Sequence, residues 1–149
     1  MSLRVRPIER ADVAAAVAAV VDGAVDPASE DPSDVVAYWS AVEATRAGGG
    51  EVLVAEQDDE VVGVCQLLIL PHFIHRGGRC AELEGVFVRA RHRGRGAGAA
   101  LIAAAEERAR AAGCYRIQLT SRNVRRDAHR FYVAHGYEAT HQGFKKALR

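Results

Sequence analysis

The chain has 149 residues, 49% hydrophobic and 26% charged, with a formal net charge of +1 at pH 7. That length predicts one domain, 1–149, with a core of its own, and the near-neutral balance excludes a bulk electrostatic pull toward nucleic acid or an acidic membrane. Cys65, Cys80 and Cys114 are odd in number and widely spaced, which excludes a disulfide frame and a CxxC zinc site and points to free thiols in a reducing cytoplasm. In chain order, LRVRPI (3–8) alternates and predicts a first strand. Residues 9–25 predict a helix with Asp12 near its start and Gly23 near its end. Its apolar run, VAAAVAAVV (13–21), has acids close by and falls well short of the ~18 residues of a membrane span, so neither export nor insertion is expected. After a loop at 26–32, residues 33–50 predict a second helix with Ser33 as N-cap and a glycine triplet at its end. EVLVAEQ (51–57), DDE and VVGVCQLLIL (61–70) predict a hairpin. A loop (71–79) leads to a strand at 80–88.

Beyond 88 come the basic segment RARHRGRGAG, a helix at 99–113, a strand at 114–121 and a helix at 125–136. The tail 137–148 predicts two short strands about a turn at Gly143. Hairpins mixed with crossover helices define an α/β fold. The expectation is a mixed, mostly antiparallel sheet of six to seven strands flanked by about four helices.

The 99–113 helix is strongly patterned: Ile102, Ala105, Ala109 and Ala112 share a stripe, with Glu106, Glu107, Arg108 and Arg110 between them. Gly94, Gly96 and Gly98 therefore lie at its N-terminus, where unpaired amides and the positive end of the helix dipole bind anions. Arg93 and Arg95 add charge. A P-loop is excluded because GxxxxGK[ST] is absent, and a Rossmann fingerprint because the acid about 20 residues on is missing. Taken alone, the loop is either a diphosphate cradle or a basic turn that only joins strand to helix.

VFVRARHRGRGAGAALI (86–102) resembles the acetyl-CoA-binding segment of the GNAT family of N-acetyltransferases, whose [Q/R]xxGx[G/A] signature falls on Arg93-Gly94-Arg95-Gly96-Ala97-Gly98. LRVRPIERADVAAA is similar to the family's first strand and helix, and DAHRFYVAHGYE to its last helix and the strand after it. The likeness spans nearly the whole chain. It implies a GNAT-like fold and transfer of acetyl from acetyl-CoA, the co-substrate, to a primary amine by direct attack in a ternary complex. It implies that the backbone of Val86, Phe87 and Val88 pairs with the pantetheine arm and that the amides from Arg93 to Gly98 hold the diphosphate. Arg89, Arg91 or Arg125 is implied for the 3′-phosphate.

Such a reaction needs a base for the amine and an acid for the leaving thiolate. The resemblance implies Tyr132 as the acid and Glu84 or Glu82 as the base. Strand alternation predicts that Glu82, Glu84, Val86 and Val88 share one face. Where many members carry asparagine, this chain has Arg125, and Asn123 is the implied substitute as a cofactor contact. The C-terminal part is similar to that of small-molecule acetyltransferases, aminoalkylphosphonate N-acetyltransferases among them, which implies His72, His75 and Arg76 as residues to receive a phosphonate. The family likeness also implies a homodimer. No metal, nucleic acid or membrane partner is expected. Three alternatives stay open at this point: a non-catalytic acyl-CoA-binding regulatory module, a protein N-terminal or lysine acetyltransferase, and a nucleic-acid-binding domain that uses the arginines at 89–95.

Overall fold

A computed structural model describes residues 2–149. The chain divides into two compact units, Met1–Gln118 and Leu119–Arg149. The first unit is built on five strands in the order of the sequence: β1 (Leu3–Pro7), β2 (Glu51–Gln57), β3 (Glu60–Pro71), β4 (Arg79–Val88) and β5 (Arg116–Gln118). Neighbours are antiparallel except β4 and β5, which run parallel over Cys80–Glu82 and Arg116–Gln118. The hairpin predicted at 51–70 forms, and Asp58 and Asp59 at its tip both take positive φ, +50° and +67°, as a two-residue turn matched to strand twist requires.

The five helices are α1 (Val13–Gly23), α2 (Val35–Ala47), the single turn α3 (Ile74–Gly77), α4 (Ala97–Ala111) and, in the second unit, α5 (Arg126–Ala134). Four were expected; the fifth is α3, inside the segment predicted as a loop. The strand count also differs from the expected six to seven, because the described residues of 137–148 carry no strand. The second helix is capped by Asp34, whose carboxylate accepts from the Ala37 amide at 3.2 Å. Ser33, the expected cap, instead donates its hydroxyl to Asp31 at 2.6 Å.

Register divides the core of the first unit in two. Val52, Val54 and Val64 face α1 and α2, where they pack with Val13, Val17 and Val42. Leu53, Cys65, Leu67 and Leu83 occupy the opposite face, with Leu101 of α4 lying over Gly63. A Cβ at Gly63 would come within 3.2 Å of Leu101 Cδ1 and 3.1 Å of the Phe87 carbonyl, so glycine here lets helix and strand approach. The cysteines are all free. Burial pushes the Cys65 thiol up to about 12, which leaves it inert as a nucleophile.

Candidate functional site

β4 and the segments at its two ends carry most of the site. After Val88 the chain makes a 3-10 turn at Ala90–His92 and passes through Arg93–Gly96 into α4. Gly94 and Gly96 take φ of +75° and +92°. A Cβ on Gly94 would meet nothing within 4 Å, so it is the backbone angle, not space, that selects glycine. No side chain caps α4. The Ala100 amide already donates to the Gly96 carbonyl at 3.0 Å, and the amides ahead of it in the first turn have no partner within the helix. Together with the helix dipole they give this end, which faces the glycine loop, the chemistry to receive an anion.

The loop is held from below by the end of α1. The Asp22 carboxylate accepts from the Ala90 amide at 2.9 Å and from Arg89 Nε at 3.0 Å. Those bonds, the Ala90 amide first, hold its carboxyl below the usual aspartate range. Arg93 donates through Nη2 to the Asp22 carbonyl and through Nε to the Val88 carbonyl, each at 3.2 Å. Arg91 pairs with Glu60. His92 Nε2 lies 3.5 Å from Glu60, while burial, helped by the neighbouring arginines, pushes the His92 pKa down. Of the arginines offered for the 3′-phosphate, Arg89 and Arg91 are therefore both bound to acids of this chain. Arg95 is exposed.

The glutamates stand on β4, but simple alternation does not hold along it. Opposite β3, Gln66 pairs with Glu84 and Val64 with Phe87. Two steps on β3 thus match three on β4, which is a β-bulge, and Gly85 within it takes φ +54°. The extra residue returns Phe87 to the face of Glu82 and Glu84, against α1, where a Cβ on Gly23 would sit 2.7 Å from Phe87 Cδ1. Val88 turns to the α4 side, with its Cγ2 3.4 Å from the position of a Cβ on Gly63. The expectation that Glu82, Glu84, Val86 and Val88 share one face is corrected accordingly. A glycine inside a strand was the available signal for the bulge.

Glu82 is half-buried and Glu84 exposed. Gln66, opposite Glu84, donates from Nε2 to Thr45 Oγ1 at 2.9 Å, and buried Thr45 donates to the Ala41 carbonyl at 2.7 Å. The residue facing the candidate base is thus oriented from α2. Past Glu82, β4 pairs only with β3 among the described residues.

In the second unit Tyr132 is half-buried on α5, in edge contact with Phe131 (ring centroids 5.4 Å apart) and Tyr137 (5.9 Å). The Tyr137 amide donates to the Tyr132 carbonyl at 3.0 Å across Gly136, whose φ is +89°. His135 is exposed, with Nδ1 2.8 Å from the Phe131 carbonyl. Asn123 is exposed in the turn before α5. In that turn Arg125 N–H and His129 Nε2 both donate to the Arg122 carbonyl, at 3.0 and 2.8 Å.

Residues 17–137 match the model of the acetyltransferase (GNAT) family. The chain belongs to the GNAT family. The matched stretch contains the glycine loop, β4 and the Tyr132 helix. Among curated GNAT-type relatives, an aminoalkylphosphonate N-acetyltransferase of Salmonella typhimurium is 40% identical over 95 residues, 64% of this chain and 61% of that enzyme, so the match spans about three-fifths of the relative's length. A glucosamine 6-phosphate N-acetyltransferase of rice is 30% identical over 118 residues, 76% of this chain and 70% of the relative. A crystal structure described as a transcriptional regulator from Bacillus halodurans superposes with a TM-score of 0.90 at 31% identity, covering 99% of this chain and 100% of the other. The site residue that sequence reasoning missed is Asp22. Its partners lie 67 and 68 positions away, and no local pattern marks it.

Proposed function

We propose that this GNAT chain, 1–149, is one catalytic domain that transfers the acetyl group of acetyl-CoA to the primary amine of a small molecule in a ternary complex. The observation that carries this reading is the uncapped N-terminus of α4 behind left-handed Gly94 and Gly96, at the end of a strand opened by the Gly85 bulge. Gly94, Arg95, Gly96, Ala97 and Gly98 present the amides that take the diphosphate; Arg93, whose own amide donates to the Ala90 carbonyl at 3.4 Å, opens the loop instead, and Asn123 adds a polar contact to the cofactor. Past its pairing with β5 at Cys80–Glu82, β4 offers the main chain of Val86, Phe87 and Val88 to the amides of the pantetheine arm, while Phe87 and Val88 keep their pairing with Val64 and Gly63 of β3.

Glu84, directly or through a water, removes a proton from the acceptor ammonium; Glu82, on the same face, draws the cation in. The freed amine attacks the thioester carbonyl, and a C–N bond forms as the carbonyl electrons move to oxygen. Collapse of that intermediate breaks the C–S bond, the Tyr132 hydroxyl protonates the departing thiolate, and the second proton leaving the amide nitrogen passes through solvent to restore Tyr132. Both curated relatives act, by name, on amines that carry a phosphonate or a phosphate, which supports a small-molecule acceptor over a protein. The reading includes a cytoplasmic homodimer. It needs no metal.

A second reading, an acyl-CoA-binding regulatory module without chemistry, draws on the neighbour described as a transcriptional regulator. One experiment separates the two: a thermal-shift titration with acetyl-CoA, desulfo-CoA and ATP, followed by thiol release over a panel of amines. Stabilisation by both CoA species, not ATP, of about 2.7 kcal/mol at 100-fold excess over Kd is expected, together with thiol release that Tyr132→Phe slows by roughly 10²–10⁴-fold. Binding without thiol release from any amine would favour the regulatory module. No stabilisation by either CoA species would refute both readings.

A further inference from the structure

The face of β3 that carries Val64 also carries Gln66, Leu68 and Leu70, by strand alternation. Three of the four are apolar. Gln66 is paired with Val52 of β2 on one side and with Glu84 of β4 on the other. Its amide bonds to Thr45 of α2, a hydroxyl only 5% exposed. Two apolar side chains of like size would pack here as well. A hydrogen bond between neutral side chains returns little more than the desolvation of its partners costs, so stability does not account for the pair.

The bond also fixes which way the Gln66 amide points. The Thr45 hydroxyl gives its single proton to the Ala41 carbonyl, 2.7 Å away, and so can only accept from Gln66. The atom 2.9 Å from Thr45 is therefore Nε2; a reversed amide would set two oxygens together with no proton between them. Thr45 stands beside the start of β2. Its carbonyl accepts from the Gly50 amide at 3.0 Å, and its Cγ2 is 3.1 Å from where a Cβ on Gly50 would lie. Nε2 is thus drawn toward β2, and Oε1 is the end of the amide turned away from it. Oε1 has no hydrogen-bond partner among the described residues. Across the ladder is Glu84, and directly opposed residues on one face hold their Cβ atoms about 4.5–5.5 Å apart.

We propose that Gln66 orients the acceptor nitrogen: its Oε1, aimed by Thr45, accepts an N–H of the amine beside Glu84 and turns the nitrogen lone pair toward the thioester. This rests on the transferase reading above. Glu84 takes one proton of the ammonium and leaves two N–H bonds and a lone pair, and Oε1 holds one of those two. The lone pair then becomes the C–N bond and the nitrogen turns positive, which makes its N–H a stronger donor. The bond to Oε1 therefore tightens in the transition state more than in the bound amine. An uncharged carboxamide does this without competing with Glu84 for the proton. Gln66 touches the substrate; Thr45 is a positioning residue that acts through it.

The test uses the full chain with saturating acetyl-CoA and follows thiol release. The probe is whichever of methylamine, ethanolamine, spermidine, glucosamine 6-phosphate and 2-aminoethylphosphonate the wild type acetylates fastest. Gln66→Leu is expected to lower kcat roughly 10- to 100-fold while KM for the amine moves less than about 3-fold. Its pH profile should keep the wild-type shape, because Glu84 remains in place. Tm and stabilisation by CoA should stay near the wild-type values, which a structural role would not allow. Thr45→Val should lower kcat about 3- to 10-fold, and Thr45→Ser, which restores the hydroxyl, should recover it. If Gln66→Leu does not fold, the Thr45 pair decides. A kcat within about 3-fold of wild type in Gln66→Leu, a flattened pH profile in that variant, or equal rates in Thr45→Val and Thr45→Ser would overturn the proposal and leave the transferase standing. No thiol release from any of the five amines by a wild type that binds CoA would overturn both.

Discussion

At the C-terminal end of β4 the positive backbone angles fall on Gly94 and Gly96; at its N-terminal end they fall on His75 and Arg76 as well as Gly77. The first turn is fastened from below by Asp22 and offers main-chain amides. The second is fastened against Tyr115, by the tilted His75 ring and by a hydrogen bond between the Tyr115 hydroxyl and His72, and offers side chains. Left-handed backbone costs a non-glycine residue about 1–2 kcal/mol. Where glycine removes that cost, the gain is a bare main chain that an anion can approach. Where His75 and Arg76 carry it, the side chains themselves are what the turn presents. The two ends of one strand thus present different parts of the polypeptide, main chain at one and side chains at the other.

The difference can be broken from either side. The largest effect is expected from Gly96→Asp, which adds a carboxylate and a strained φ where a diphosphate would lie; stabilisation by acetyl-CoA in a thermal-shift titration should vanish. Retained stabilisation would move the diphosphate away from this loop. On the strand between the two turns, Glu84→Gln should lower kcat by about 10²-fold at neutral pH and flatten its rise with pH. A wild-type profile would pass the role to Glu82 or to water.

Asp22→Asn loosens the fastening without touching the amides. KM for acetyl-CoA should rise about 3- to 10-fold, more than kcat falls. Because the folded-state pKa of Asp22 is depressed, its contribution to stability is complete above the ordinary value of about 4 and is lost as pH falls through the lowered one. The gap in Tm between wild type and Asp22→Asn should therefore be constant from pH 6 to 8 and close below about pH 4. A gap that widened on acidification would mean that the carboxylate is not what holds Ala90 and Arg89.

The smallest effect is expected at the other turn. Arg76→Gly removes a left-handed non-glycine residue, and Tm should rise by about 1–2 °C after the entropic cost of glycine is deducted. A fall would mean that the Arg76 side chain contributes more to holding the turn than its backbone strain costs.

Much of the molecule was readable from local pattern, because local physics decides it. The Asp58–Asp59 hairpin, the α4 stripe and the glycines ahead of it each depend on residues a few positions apart, and each forms as expected. Element ends were less legible: Asp34 caps α2 although Ser33 is an equally good cap chemically, because Ser33 is engaged by Asp31. The bulge at Gly85 changes which residues face the glutamates, and alternation alone misses it. Asp22 was invisible because its partners are distant in sequence. The strands expected in 137–148 illustrate a further limit: alternation there describes a segment that could pair, while pairing depends on a neighbour that no local pattern supplies.

β4 lies inside the sheet, yet past Glu82 its strand partner among the described residues is β3 alone. In that stretch it behaves as an edge placed in the interior of a fold, and edges recruit extended chains, including wrong ones. Two features make this one a poor template for a protein strand. It is short, and the Gly85 bulge throws its donors and acceptors out of the even spacing that a regular strand would need. A slender molecule with two separated amides is not bound by that spacing. The irregularity in β4 thus guards against mispairing while leaving the strand open to a partner that is not a strand.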